Sequence, residues 1–138
     1  MADMNDPVIL AARIFLAALF LIFGWRKVQD YPGTVSQMVR DDLPMPVLAT
    51  AIAIVMELGV SSAIALGLFA RVAAVLMASY TLGTSLVEHR YWQTHNAERV
   101  EKMEAFYKNL AIIGGFLLLA VTGPGRFSLD AVLGIAAL

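Results

Sequence analysis

The chain has 138 residues, 59% of them hydrophobic and only 15% charged, with a formal net charge of −1 and a mean hydropathy of +0.73. Soluble domains are about a quarter charged, and a globule of this size leaves about a third of its unfolded-chain surface in water, so so much apolar side chain reads as a membrane protein. With no cysteine, disulfides, thiol redox chemistry, iron–sulfur clusters and covalent haem attachment are excluded, and the near-neutral charge offers no nucleic-acid footprint.

In chain order, the first apolar run extends from Pro7 to about Phe23, interrupted only by Arg13, and reaches the lower limit of about 17 residues for a spanning helix. Asp3 and Asp6 precede it without Lys or Arg, unlike the positive start of a signal peptide, so it reads as a retained helix. Between Pro32 and Pro44, Val35, Met38 and Val39 share one helical face, predicting a short interfacial helix. The second pass, Val47 to about Phe69, follows Pro44 and Pro46 and carries only Glu57 as a charge. A tight break at residues 69–71 leads into the third, Val72 to Val87. The stretch from Glu88 to Glu104 alternates acids with Arg90, Arg99 and Lys102 and predicts a helical extension in water, with Glu98 and Lys102 at the i, i+4 spacing. The fourth pass, Phe106 to Thr122, stops at Gly123, Pro124 and Gly125. The last dozen residues are apolar but too short to span, so they are expected on the surface or packed on the bundle.

The fold class is therefore an all-α membrane protein, a single four-helix transmembrane bundle with short interfacial helices and both termini on one side. The long loops hold more Lys and Arg than the opposite side, which carries Arg71 and Arg126. This favours long loops inside. Arg71 and Arg126 are expected in structural, interfacial roles.

Charge inside lipid costs about 3 kcal/mol per residue on insertion scales, so Arg13, Glu57, Lys108 and Asn109 must face the bundle interior, a cavity or a partner. Counting rise per residue puts Glu57 near the midplane and Arg13 about 9 Å from it in height, and predicts that the two are coupled. Thr50, Glu57 and Ser61 share one stripe of the second pass; Arg13, Ala17, Phe20, Gly24 and Lys27 share one on the first. Gly59, Ala63 and Gly67 recur every four residues and suggest a small-residue packing groove. Lys27, His89, Trp92 and Asn109, with Lys108, are expected at one mouth of the bundle. Interfacial anchoring accounts equally well for Trp92, and surface exposure for His95. His89 and His95 lie six apart, about 240° around a helix, so an intrinsic haem or a metal site is not expected.

Several segments together resemble the DoxX family of small bacterial membrane proteins: Arg13 and then FGWRKV at 23–28, Glu57 followed by ALGLFAR at 65–71, His89, FYKNLAIIGG at 106–115, and GPGRFSLD at 123–130. The resemblance spans nearly the whole chain and implies a multi-pass protein of the bacterial cytoplasmic (inner) membrane. It further implies a quinone-facing subunit of, or partner to, an oxidoreductase of thiol, sulfur or oxidative-stress metabolism. Arg13, Lys27, Glu57, Arg71, His89, Lys108 and Asn109 match the family's polar pattern.

Three functions stay open on the residues alone. One is a quinone-linked subunit, with quinone as a bound rather than intrinsic cofactor. The second is a small carrier or channel with Glu57 and Arg13 at its site, and the third a non-catalytic scaffold. The bilayer and other redox proteins are the expected partners, with room for a homo-oligomer. Whether the chain is itself an enzyme is left open.

Overall fold

The computed structural model describes residues 4–135 and 137. Among them there is no strand. Helices α1 (Asn5–Gln29), α2 (Tyr31–Arg40), α3 (Pro46–Ile54), α4 (Ser61–Leu66), α5 (Ala70–Glu88), α6 (Asn96–Thr122) and α7 (Leu129–Leu133) account for most of the chain. A π-helical segment, Val55–Val60, joins α3 to α4, and a 3₁₀ turn, Tyr91–Gln93, follows α5. Four helical stretches are long and apolar enough to cross a membrane: Asn5–Gln29, Pro46–Leu66, Ala70–Gln93 and Asn96–Thr122. The shortest holds 21 residues, about 31 Å at 1.5 Å per residue, which matches a hydrocarbon core of about 30 Å.

Local chemistry sets the breaks. Asp30 caps α2 by accepting from the Gly33 backbone N–H at 3.1 Å, with Pro32 in the first turn. A short helix is thus present where one was expected between Pro32 and Pro44, and Met38 is its buried residue. The hairpin between α4 and α5 turns on Gly67 at φ +70° and Phe69 at φ +46°. A φ of this sign is costly for a residue with a Cβ, and at Phe69 the contacts described below hold it. At the end of α6, Gly123 takes φ +79°, and the Arg71 guanidinium donates to the carbonyls of Ala120 (2.7 Å) and Val121 (2.6 Å). A cation bonded to the last carbonyls of a helix satisfies groups that have no intrahelical partner.

The core is narrow and rich in small side chains. Ala17, Phe20, Ile64, Ala73, Ala74, Met77, Ala78, Phe116 and Leu119 form it, with the Phe20 and Phe116 ring centroids 5.6 Å apart. Alanines on α5 let α6 pack along most of its length. The outer faces stay apolar and exposed, as lipid contact requires. The charged extension of α6 is also seen, with Lys102 Nζ 3.5 Å from Glu98 Oε1.

The small-residue groove expected from Gly59, Ala63 and Gly67 does not form. A Cβ at Gly59 would meet nothing within 4 Å, so this residue faces outward. The π turn, in which Ser61 N–H reaches back to the Met56 carbonyl, breaks the four-residue register that the expectation assumed. Close approach occurs at Gly24 instead, where a Cβ would lie 2.9 Å from both Glu57 Cβ and Leu58 Cγ. Gly24→Ala is therefore expected to force α1 off the π turn and cost about 1 to 3 kcal/mol. Thermal unfolding in detergent, with Gly114→Ala as the unobstructed control, measures it; equal midpoints would refute the contact.

The Asp6 carboxylate accepts from the Arg126 backbone N–H at 3.0 Å, which brings the start of α1 to the corner after α6. Reporter fusions at the two chain ends are accordingly expected to give signals on the same side of the membrane. Opposite signals would break this topology.

Candidate functional site

Two polar clusters lie inside the bundle, one toward each end. Toward the long loops, Glu57 sits within the π turn and is almost fully buried. Its Oε2 accepts from Lys27 Nζ at 2.9 Å and its Oε1 from the Tyr80 hydroxyl at 2.7 Å. Both carboxylate oxygens are thereby engaged by donors from two other passes, α1 and α5. A one-residue π bulge re-aims a side chain without ending the helix, and such bulges recur at functional sites. The ion pair is buried on the Glu57 side, at 7% side-chain exposure, and partly open on the Lys27 side, at 22%.

Two cavities flank this cluster. A polar vestibule of about 430 Å³ is lined by Arg26, Lys27, Asp30, Thr34, Gln37 and Glu88 among others. A mostly apolar cavity of about 280 Å³ is lined by Met38, Leu43, Ile52, Ala53, Tyr80, Gly83, Thr84, Val87 and Glu88. Its wall comes mainly from α3 and α5, and Ile52 and Gly83 within it are exposed. Arg90 Nη2 donates to the Asp41 carbonyl at 2.9 Å and ties the loop after α2 to the end of α5. A separate apolar groove of about 460 Å³ between α1 and α6 has no titratable side chain in its wall and faces lipid.

Toward the opposite end, Arg13 and Asp130 are fully buried. The Asp130 carboxylate accepts from the backbone N–H groups of Phe69 (2.7 Å) and Ala70 (2.8 Å), capping α5 from a remote segment. A carboxylate there also complements the positive end of the helix dipole. Arg13 Nη2 donates to the Phe127 carbonyl, and its charge is attracted to Asp130. Gly67 makes room for it, since a Cβ there would fall 1.9 Å from Arg13 Nη1. The Ser128 hydroxyl donates to the Gly125 carbonyl at 2.6 Å and accepts from the Ala131 N–H at 3.2 Å, starting α7.

The expected coupling of Arg13 with Glu57 is thus corrected: the two belong to different clusters. Counting rise per residue put the two about 9 Å apart in height. In the structure α1 continues to Gln29 and Glu57 packs level with Gly24. Arg13 is eleven residues from Gly24, about 16 Å along the helix, too far for its side chain to bridge. Glu57 therefore lies nearer the long-loop end than Arg13 does, midway along the second pass.

The residues expected at one mouth are divided. Lys27 joins Glu57. Asn109 Nδ2 donates to Ser85 Oγ at 2.9 Å on the seam between α5 and α6. His89 ends α5, half-buried, where the charges of Lys102 and Asp41 reach it. Trp92 belongs to an edge-to-face aromatic group with Tyr91, Phe106 and Tyr107. Lys108 points outward on α6 beside the inward Asn109, the placement of a snorkelling interfacial lysine. His95 is exposed before α6. Arg71 holds the end of α6, and Arg126 lies over the Phe127 ring at 6.0 Å. Sequence reasoning overlooked Tyr80, a polar tip within an apolar pass, and Asp130, whose signal was an acid in an otherwise apolar tail.

The DoxX family profile matches residues 8–90 of the chain. The inner membrane protein YphA of Escherichia coli is 46% identical over 123 residues, 89% of this chain and 88% of that protein. The E. coli inner membrane protein YqjF is 38% identical over 133 residues, 96% of this chain and 97% of that protein. The ER-derived vesicles protein ERV29 of Saccharomyces cerevisiae shares 33% identity over 66 residues, 48% of this chain and 21% of that protein. No solved structure matches the chain. Profile, relatives and four spanning helices together identify the chain as a member of the DoxX family, a multi-pass protein of the inner membrane.

Proposed function

We propose that this protein is a small membrane subunit of, or partner to, a quinone-linked oxidoreductase, and that the cavity beside Tyr80 takes the quinone head group. One observation carries this reading: a buried Lys27–Glu57–Tyr80 cluster adjoins an apolar cavity walled mainly by α3 and α5. At about 280 Å³, the cavity lies just below the usual range for small-molecule sites, roughly 300 Å³ and above, and suits a single substituted ring. The polar groups of the wall are few, and the two hydroxyls among them, which donate to Glu57 Oε1 and to the Thr81 carbonyl, must turn to donate to a ring oxygen. Tyr80 and Thr84 supply hydroxyls in the wall of the cavity, Glu88 a carboxyl group and the remainder an apolar lining.

A quinone supplies two-electron, two-proton redox chemistry when bound. The chain's own part is to orient the ring through Tyr80 and Thr84, exclude water with Leu43, Ile52 and Val87, and keep a proton near the ring on the Tyr80 hydroxyl, which donates to Glu57. Lys27 holds the Glu57 side chain in place through their ion pair. The thiol, sulfur or oxidative-stress setting implied by the family resemblance belongs to the same proposal.

Protein purified in mild detergent is expected to carry quinone, seen by ultraviolet absorbance and mass spectrometry of its lipid extract. A Cβ at Gly83 would meet nothing within 4 Å, so Gly83→Phe can occupy the cavity without a backbone clash. This variant should lose most of the quinone and Tyr80→Phe part of it, whereas His95→Ala should retain it all. A wild-type extract free of quinone would leave a membrane scaffold as the better reading.

A further inference from the structure

The vestibule and the apolar cavity share two wall residues, Met38 and Glu88. Met38 is 4% exposed and borders both. Glu88 is half-buried at the last turn of α5. The charges that reach it come from Lys27 on α1, Asp41 after α2 and Glu57 in the π turn. On the vestibule side, Arg26, Asp30 and Arg40 complete the charged wall. Lys27 belongs to both the vestibule and the Glu57 cluster, while Tyr80 belongs to both the cavity and that cluster. The buried carboxylate is therefore approached from two sides, one polar and one apolar.

We propose that the two cavities are halves of one passage from the long-loop surface to the Lys27–Glu57–Tyr80 cluster, partitioned by Met38, with Glu88 handing protons across. The purpose of this passage rests on the ligand reading above; its geometry does not. Glu88 takes a proton from vestibule water and releases it on the cavity side, with no electron moved. Methionine suits the partition because its unbranched thioether shifts rotamer easily. Helix α2, which carries Met38, spans only ten residues, so it can yield without disturbing the spanning helices. Glu57 has both oxygens engaged by Lys27 and Tyr80, so the proton that Glu88 releases goes to the molecule held in the cavity rather than to Glu57.

The chain contains no cysteine, so single-cysteine variants can be read without background. In vesicles exposing the long-loop face, a membrane-impermeant methanethiosulfonate should modify Thr34→Cys and Glu88→Cys quickly and Thr84→Cys at least tenfold more slowly. Adding Met38→Ala to Thr84→Cys should raise its rate at least tenfold, whereas Met38→Leu should not. Met38→Val, a milder truncation, carries the same test where Met38→Ala does not yield monodisperse protein. A Thr84→Cys rate indifferent to every Met38 substitution, or an unreactive Glu88→Cys beside a reactive Thr34→Cys, overturns the passage. Quinone content of the unsubstituted protein, purified alongside, separates the two readings: Met38-dependent labelling with no quinone in the unsubstituted protein supports the passage and sinks only the ligand, while quinone with Met38-independent labelling sinks only the passage.

Discussion

Asp130→Ala is expected to lower stability by about 3 to 5 kcal/mol, the cost of breaking a buried charge arrangement by removing one side. Three losses coincide. The N–H groups of Phe69 and Ala70 lose their acceptor, the start of α5 loses the anion that complements its dipole, and Arg13 is left as an unopposed buried cation. Arg13 already has Nε and Nη1 without an acceptor among the described residues, so it has little means of compensating. Arg13→Leu should cost less, because Asp130 keeps both backbone donors. Thermal unfolding in detergent of Asp130→Ala, Arg13→Leu and the double variant gives the cycle, with the double costing less than the sum. The same cycle run on Arg13 and Glu57 should be additive to within about 0.5 kcal/mol. Coupling there and additivity between Arg13 and Asp130 would invert the assignment of the two clusters.

The passes were legible because each depends on a long apolar run, and the breaks because Pro, Gly and Asp act through local backbone chemistry. The inward stripes were legible for the same reason: Arg13, Ala17, Phe20 and Gly24 are buried together on α1, as are Thr50, Glu57 and Ser61 along the second pass. What periodicity could not supply is the offset of one helix against another along the membrane normal. That offset depends on how far α1 runs past its apolar stretch and on where the π turn falls, and it decides that Glu57 meets Lys27 rather than Arg13. Tyr80 and Asp130 were missed because their partners are a side chain on another helix and two backbone N–H groups some sixty residues away. A sequence pattern records neither. The π turn itself leaves no mark, since VMELGV reads as ordinary apolar helix.

The second large effect is asymmetric and follows from which partner of the Lys27–Glu57 pair can reach water. Lys27→Met strands a carboxylate whose side chain is 7% exposed, with only the Tyr80 hydroxyl left to stabilise it, and about 3 kcal/mol is expected. Glu57→Gln strands an ammonium that lines the vestibule and can turn toward water there. About 1 kcal/mol is expected for it, the size of one ordinary hydrogen bond. Lys27→Met combined with Glu57→Leu should recover much of the loss, because two apolar side chains replace the pair and only the Tyr80 hydroxyl is left unsatisfied. Adding Tyr80→Phe to that double variant should then recover more, although the same change in the wild type is destabilising. Unfolding midpoints for the wild type and the five variants decide it. If Lys27→Met and Glu57→Gln cost the same, both charges have equal access to water, and the buried character of Glu57 on which the ligand reading depends is lost.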